Sequence, residues 1–201
     1  MLKALRVEPG KRMAIAGKTG SGKTTLGAYV LAHSPGSWIV LDQKHDDLLG
    51  RMGKIVEREE DIDKSLKENR IVVFRPPPGF PVDEWLCDMS EDYRQLGFFI
   101  DELYYLGNSS QPGPGLTAIL TRGRSRRQSF IGCTQRPAFV PRFVFSEADQ
   151  VAMGKLKLKD DRKRLIDSTG DPRFIEILPD HSFLVYDVAD DKLVKVSTKL
   201  A

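Results

Sequence analysis

The sequence predicts an α/β fold: one domain over residues 1–201, built on a mainly parallel central sheet with helices on both faces and a C-terminal β-hairpin. Three observations predict it. Short, near-continuous apolar runs alternate with helical stretches, the pattern of parallel strands covered on both sides. Gly17, Asp42, Arg75, Asp101 and Gln135 fall at or just past the ends of those runs, where open sheets bind ligands. Two final apolar runs flank Ala189-Asp190-Asp191, a hairpin signal.

The elements follow in order. Met13–Ala16 is a short apolar strand ending at Gly17, and Thr24–His33 is a helix closed by Ser34-Pro35-Gly36. Trp38–Asp42 is the second strand. Asp46–Leu66 is charged and reads as helix or loop. Ile71–Phe74 is the third strand, stopped by Arg75 and three prolines. Val82–Leu96 has helical spacing around Trp85, Met89 and Tyr93, and Phe98–Asp101 is the fourth strand. Leu103–Gly115 is a loop. Leu116–Arg127 is a helix with Gly123 as its weak point, and Phe130–Thr134 is the fifth strand. Asp160–Ser168 is a charged helix, and Phe183–Tyr186 with Leu193–Val196 form the hairpin.

Composition sets broad bounds. Of 201 residues, 40% are apolar and 29% charged, as in ordinary globular chains. No apolar run approaches the roughly 20 residues that span a bilayer. Glu8 and Pro9 follow the start too soon for a signal peptide, so a cytoplasmic setting is expected. Cys87 and Cys133 lie in apolar stretches and read as buried thiols; the three histidines show no metal-ligand spacing. Net charge is only +3, but no acidic residue occurs between Glu102 and Glu147, while six arginines do. Such a block implies an anionic partner for one face.

The strongest motif is Gly17-Lys18-Thr19-Gly20-Ser21-Gly22-Lys23-Thr24, between a strand and a helix. Glycines let backbone N–H groups wrap phosphate oxygens in conformations a side chain forbids. Lys23 is expected to reach the β- and γ-phosphates of a nucleotide, Thr24 to ligate Mg²⁺, and Thr25 to contact the α-phosphate. The helix N-terminus adds its positive dipole. At the end of the fourth strand, which is expected to adjoin the phosphate loop, Asp101 is placed to hold the Mg²⁺ shell. Glu102, one step further out, is placed to polarise water as general base. An adjacent Asp-Glu pair favours a hydrolase over a small-molecule kinase.

Other residues admit two readings. Gln135 is either a γ-phosphate sensor or part of a plain strand-ending turn. Arg122 and Arg126 share one helical side, Arg124 and Arg127 another; one pair can serve a neighbouring subunit's nucleotide while the other holds DNA or makes salt bridges, or any one of them is simply solvated. Asp42-Gln43-Lys44 is either a coupling element or a structural ion pair. Lys155-Leu156-Lys157-Leu158-Lys159 is either an edge strand guarded by lysines or, with Tyr104 and Tyr105, a contact for a nucleic-acid backbone.

The order of these segments, from Gly17–Thr25 through Leu41-Asp42-Gln43-Lys44 and Phe99-Ile100-Asp101-Glu102 to Arg122-Gly123-Arg124 and Ile131-Gly132-Cys133-Thr134-Gln135-Arg136-Pro137, resembles the FtsK/HerA superfamily of DNA-pumping ATPases. The resemblance implies a RecA/ASCE-like P-loop NTPase using ATP and Mg²⁺. It also implies a homo-oligomeric ring, commonly hexameric, around double-stranded DNA. It makes Gln135 the sensor and Arg124 the foremost arginine-finger candidate. The membrane helices and winged helix of the chromosome-segregation pumps, and the N-terminal barrel and helical insertion of the repair translocases, are not expected within these 201 residues. The remaining minimal motor is similar in size to genome-packaging ATPases of tailless internal-membrane phages and archaeal viruses. That group implies the host cytoplasm and a capsid vertex, with capsid or membrane proteins as docking partners. A plasmid or chromosomal DNA translocase or helicase subunit is the alternative, and an ATP-dependent switch without motor activity is the alternative of another class.

Overall fold

A computed structural model describes residues 5–107 and 111–199. Among the described residues nine strands form one sheet. They are β1 (Arg12–Ala16), β2 (Ser37–Leu41), β3 (Lys54–Val56), β4 (Ile71–Phe74), β5 (Leu96–Ile100), β6 (Ser129–Thr134), β7 (Gln150–Met153), β8 (Ser182–Asp187) and β9 (Lys192–Ser197). The order across the sheet is β3-β4-β2-β5-β6-β1-β7-β8-β9. Pairing is parallel from β3 to β7; β7–β8 and β8–β9 are antiparallel. The expected parallel sheet and terminal hairpin are both present.

Among the described residues seven α-helical segments connect the strands: α1 (Lys23–His33), α2 (Asp47–Gly50), α3 (Ile62–Glu68), α4 (Val82–Asp92), α5 (Pro114–Thr117), α6 (Phe143–Ser146) and α7 (Lys159–Thr169). Strand residues alternate between two cores. Met13, Ile15, Trp38, Val40 and Phe99 pack under α1 with Leu26, Val30 and Leu31. Ala14, Ala16, Ile39, Leu41, Phe98 and Ile100 face the other side, against Trp85, Leu86, Leu116 and Ile119. Both faces are dry, so the strands read as continuous apolar runs rather than alternating ones. Phe99 is fully buried, and burying such a side chain stabilises by about 1.5–3 kcal/mol. Gly27 lets α1 sit close over it: a Cβ there would lie 2.7 Å from the Phe99 ring.

Several elements differ from expectation. The stretch Asp46–Leu66 contains the edge strand β3 between α2 and α3; three residues are too few to show a period. The helix expected over Val82–Leu96 stops at Asp92, because Leu96 pairs with Ser37 in β5 and Gln95 turns the chain at φ 58°. Leu103–Gly115 includes a 3₁₀ turn at Leu103–Leu106, and its residues 108–110 lie outside the described residues. The helix expected over Leu116–Arg127 is instead α5, a π-wound segment Ala118–Arg122 and a 3₁₀ turn Gly123–Arg126. Its winding changes at Gly123. Lys155–Lys159 is not an edge strand. The Lys155 carbonyl accepts a hydrogen bond from the Lys18 N–H at 2.8 Å, and Arg162 Nη1 donates to the carbonyls of Leu156 and Lys157 at 2.8 and 2.6 Å. These bonds pull the chain off the sheet and across the phosphate loop. Among the described residues no helix is long and apolar enough to cross a membrane.

Candidate functional site

The site is built at the C-terminal ends of β1, β5 and β6. The chain leaves β1 at Ala16 and wraps into the glycine-rich loop before α1. Gly20 and Gly22 hold φ of 74° and 93°, left-handed values that Gly adopts without the steric cost a Cβ brings. The Gly17 N–H donates to Thr134 O at 3.1 Å, which ties the loop to β6. Lys23, 6% exposed, donates to the Lys18 carbonyl at 3.2 Å. Burial lowers its pKa from the ordinary lysine value. Its ammonium lies folded against the loop that would enclose an anion.

Asp101 and Glu102 follow β5. Contrary to the expectation from sequence, the strand of Asp101 does not adjoin that of the phosphate loop; β6 lies between them. The carboxylates nevertheless reach the loop. Thr24 Oγ1 donates to Asp101 Oδ1 at 3.0 Å. Burial raises the Asp101 pKa above the usual carboxylate value, opposed by the Thr24 hydrogen bond and by the Lys44 charge. Glu102 is 5% exposed. Its Oε1 accepts from Gln135 Nε2 at 2.7 Å and pairs with Lys44 Nζ. Its Oε2 is buried and has no hydrogen-bond partner among the described residues. Gln135, just past β6, also accepts from Thr19 Oγ1 at 2.5 Å. One network therefore joins Thr19, Gln135, Glu102, Lys44, Asp101 and Thr24.

Two hard oxygen donors in contact, a hydroxyl and a carboxylate whose buried charge lacks full compensation, are the donor set that suits a small dication. A buried carboxylate oxygen without a partner is an unsatisfied acceptor.

The Asp42-Gln43-Lys44 segment divides between its two readings. Asp42 is 1% exposed and pairs with Arg75 Nε at 2.9 Å, while its Oδ1 accepts from the Asp46 N–H at 2.9 Å: a structural ion pair. Lys44 instead enters the site. Its place at Glu102 had no sequence signal beyond its position after a strand.

The arginines also divide. Arg122 pairs with the Glu91 carboxylate at 3.2 Å and Arg126 donates to the Glu91 carbonyl. Arg136 pairs with the buried Asp161 at 3.0 Å and lies over the Phe139 ring. Arg124 pairs with Asp149 at 3.5 Å and stays more than half exposed. It precedes β6, at the N-terminal edge of the sheet, whereas the phosphate loop is at the C-terminal edge. Six residues of β6 separate the two edges, roughly 15–20 Å at about 3.3 Å per residue. Arg124 is not part of its own chain's phosphate site. Lys155 is held by Asp180 at 3.0 Å, and Asp180 also meets Lys18 at 3.1 Å. Cys133 is fully buried behind the loop, and burial holds its thiol pKa well above the ordinary value, as expected of an inert thiol.

The terminal hairpin, assigned no role from sequence, meets the loop. The His181 N–H donates to Ser21 O at 3.1 Å, and a Cβ on Gly22 would fall 2.6 Å from Thr198 Oγ1. Beside this contact a cavity of about 480 Å³ opens between α1 and β9, lined by Thr25, Leu26, Tyr29, Val196, Thr198 and neighbours.

No protein-family model matches this chain. It is 30% identical over 161 residues to the DNA packaging ATPase P9 of Enterobacteria phage PRD1, covering 76% of this chain and 67% of that protein. The genome packaging NTPase B204 from Sulfolobus turreted icosahedral virus 2, solved in complex with ATP-γS, superposes with a TM-score of 0.79 at 21% identity, over 96% of this chain and 99% of that one. The conjugation coupling protein TcpA of pCW3 superposes with a TM-score of 0.58 at 14% identity, over 94% of this chain and 60% of that one. The two structures share the fold, and the sequence match carries kinship: the chain belongs to the family of the PRD1 DNA packaging ATPase P9.

Proposed function

We propose that this chain is an ATP-hydrolysing motor that drives double-stranded DNA into a preformed viral capsid. The observation that carries the reading is the network joining Thr24–Asp101 to Glu102–Gln135 at the mouth of the phosphate loop, in a chain of the packaging-ATPase family. The loop N–H groups and Lys23 take the β- and γ-phosphates, with Lys23 leaving the Lys18 carbonyl to do so. Thr24 and Asp101 would hold Mg²⁺, which when bound neutralises charge on the transferring phosphoryl group. Glu102 accepts a proton from the attacking water. Gln135, bonded to both Glu102 and Thr19, orients that water against the γ-phosphate. Arg124, remote from its own loop, serves the nucleotide of a neighbouring subunit in a ring. This reading puts the protein in the host cytoplasm, working at a capsid vertex.

The base and ribose take the cavity between α1 and β9. It begins at Thr25, expected at the α-phosphate, and Tyr29 lies one helical turn further, 46% exposed. Tyr29→Ala removes a stacking face that contributes about 0.5–1.5 kcal/mol, so ATP affinity falls by roughly two- to twelvefold by the usual conversion of energy to affinity. Tripolyphosphate, which has no base, binds both proteins equally. Equal loss for ATP and tripolyphosphate would place the base elsewhere.

DNA contact is assigned to the face bearing Tyr104 and Tyr105. Their rings lie tilted against each other with centroids 4.3 Å apart, both exposed, two and three residues after Glu102. The hydrogen bond with Tyr105 raises the Tyr104 pKa to about 12, so Tyr104 is neutral at physiological pH. The test of the whole reading is ATPase activity measured with and without double-stranded DNA, across protein and salt concentration. Hydrolysis is expected to rise with DNA and with assembly. A grip on some six phosphates weakens about 10³-fold between 50 and 200 mM salt. Hydrolysis indifferent to DNA at every protein concentration would favour a switch over a motor.

A further inference from the structure

We propose that Lys44 is a positioning residue that locks Glu102 in the nucleotide-free subunit and must withdraw before hydrolysis. The proposal rests on the hydrolytic reading of Glu102 given above. Lys44 Nζ is paired with Glu102 Oε1 and lies 4.0 Å from Asp101 Oδ2. One ammonium thus bridges two adjacent buried carboxylates, one of which, Asp101, would also face a bound dication. Lys44 and a dication held by Thr24 and Asp101 would both draw on the Asp101 carboxylate, Lys44 from the Oδ2 side and Thr24 from the Oδ1 side. While Lys44 and Gln135 together hold Oε1, the Glu102 carboxylate is fixed toward them and is not free to turn to a water at the γ-phosphate.

The Lys44 side chain is built to move and its root is not. It is 39% exposed, while its Glu102 partner is 4% exposed. It stands on the β2–α2 loop, between Asp42 and His45, the latter at φ 57°. Below it the loop is pinned: Arg75 Nε bonds Asp42, Arg75 Nη2 donates to the Asp46 carbonyl at 3.1 Å, and the Asp46 side chain caps α2. Arg75 is followed by Pro76-Pro77-Pro78, a stiff surface segment. A flexible four-carbon stem on a rigid base can swing between the carboxylates and solvent without moving the sheet. The lock restrains idle turnover and makes release of Glu102 conditional on MgATP.

The test compares the full-length protein with Lys44→Met and Lys44→Arg by DNA-free ATPase assay, MgATP calorimetry and thermal melting. Lys44→Met is expected to raise the DNA-free rate by roughly three- to tenfold, the range for an ion pair with one half-exposed partner. It is expected to tighten MgATP binding by a similar factor, since the competing cation is gone. Lys44→Arg, which keeps the charge, should stay near wild type on both measures. Adding Glu102→Gln to Lys44→Met should abolish the gained turnover. A fall in kcat of more than tenfold with unchanged MgATP affinity would overturn the lock and make Lys44 a ligand of the transferring phosphate. A lower melting temperature with unchanged kcat and affinity would overturn it in favour of a structural pair. Gained turnover that survives Glu102→Gln would also overturn it. Absence of MgATP binding by the wild-type protein would instead sink the reading of the phosphate loop, a separate failure.

Discussion

Glu102→Gln is expected to keep ATP bound and to slow its hydrolysis by about 10²- to 10⁴-fold, the usual contribution of a general base. The phosphate loop, Lys23 and the Thr24–Asp101 pair are untouched, so affinity is retained. The amide oxygen can still accept from Gln135 Nε2, now at 2.7 Å from Oε1, and the side-chain volume is unchanged. What is lost is basicity at a buried oxygen without a partner. The Lys44 ion pair is lost too, but Lys44 can turn to Asp101 or to solvent. Single-turnover hydrolysis combined with MgATP calorimetry separates the two effects. A variant that binds normally and hydrolyses near the wild-type rate would mean that water is activated by another group, with Asp101 next in reach. A variant that fails to bind would mean that Glu102 holds nucleotide rather than water.

Arg124→Ala is expected to bind ATP normally and to lose about 10³-fold or more of the assembled protein's hydrolysis, the scale of an arginine finger. The exposed pair with Asp149 contributes little to stability, roughly 0–1 kcal/mol at most, so melting is barely changed. The arginine is nevertheless positioned. Asp149 accepts from Lys11 Nζ at 2.8 Å and from the Arg12 N–H at 3.0 Å, and it meets Arg124 at 3.5 Å. Arg12, buried at the start of β1, has Nε and Nη2 without partners among the described residues, and the Arg124 charge helps depress its pKa after burial itself. Like charges around one carboxylate favour an outward Arg124. Mixing Arg124→Ala with Glu102→Gln protein discriminates action between subunits. Some mixed interfaces pair an intact Glu102 with an intact neighbouring Arg124, and those recover hydrolysis. Action within one subunit gives no recovery, because every chain lacks one group. Arg122, Arg126 and Arg127 are controls: the first two are tied to Glu91 and should have weaker effects. Full activity in all four single variants would remove the finger from this surface.

The sequence by itself determined the parts whose signals are local. The phosphate loop is legible because its glycines, lysine and threonine act within eight consecutive residues. Asp101-Glu102 and Gln135 are legible because each ends an apolar run, and runs long enough to cross a sheet announce their own ends. The hairpin is legible from its turn. Strands β3 and β7 are not: with three and four residues, they are strands only because a neighbour completes their hydrogen bonds. The tertiary structure alone decided the strand order. It inserts β6 between β1 and β5, which carries Gln135 between Thr19 and Glu102. It brought Lys44 to Glu102 across 58 residues of chain while giving Asp42 to Arg75. It set Arg124 at the sheet edge opposite the phosphate loop. The physical reason is range. Propensity, turn chemistry and burial period act over a few residues, whereas strand order and ion pairing follow from which surfaces bury one another across the whole chain.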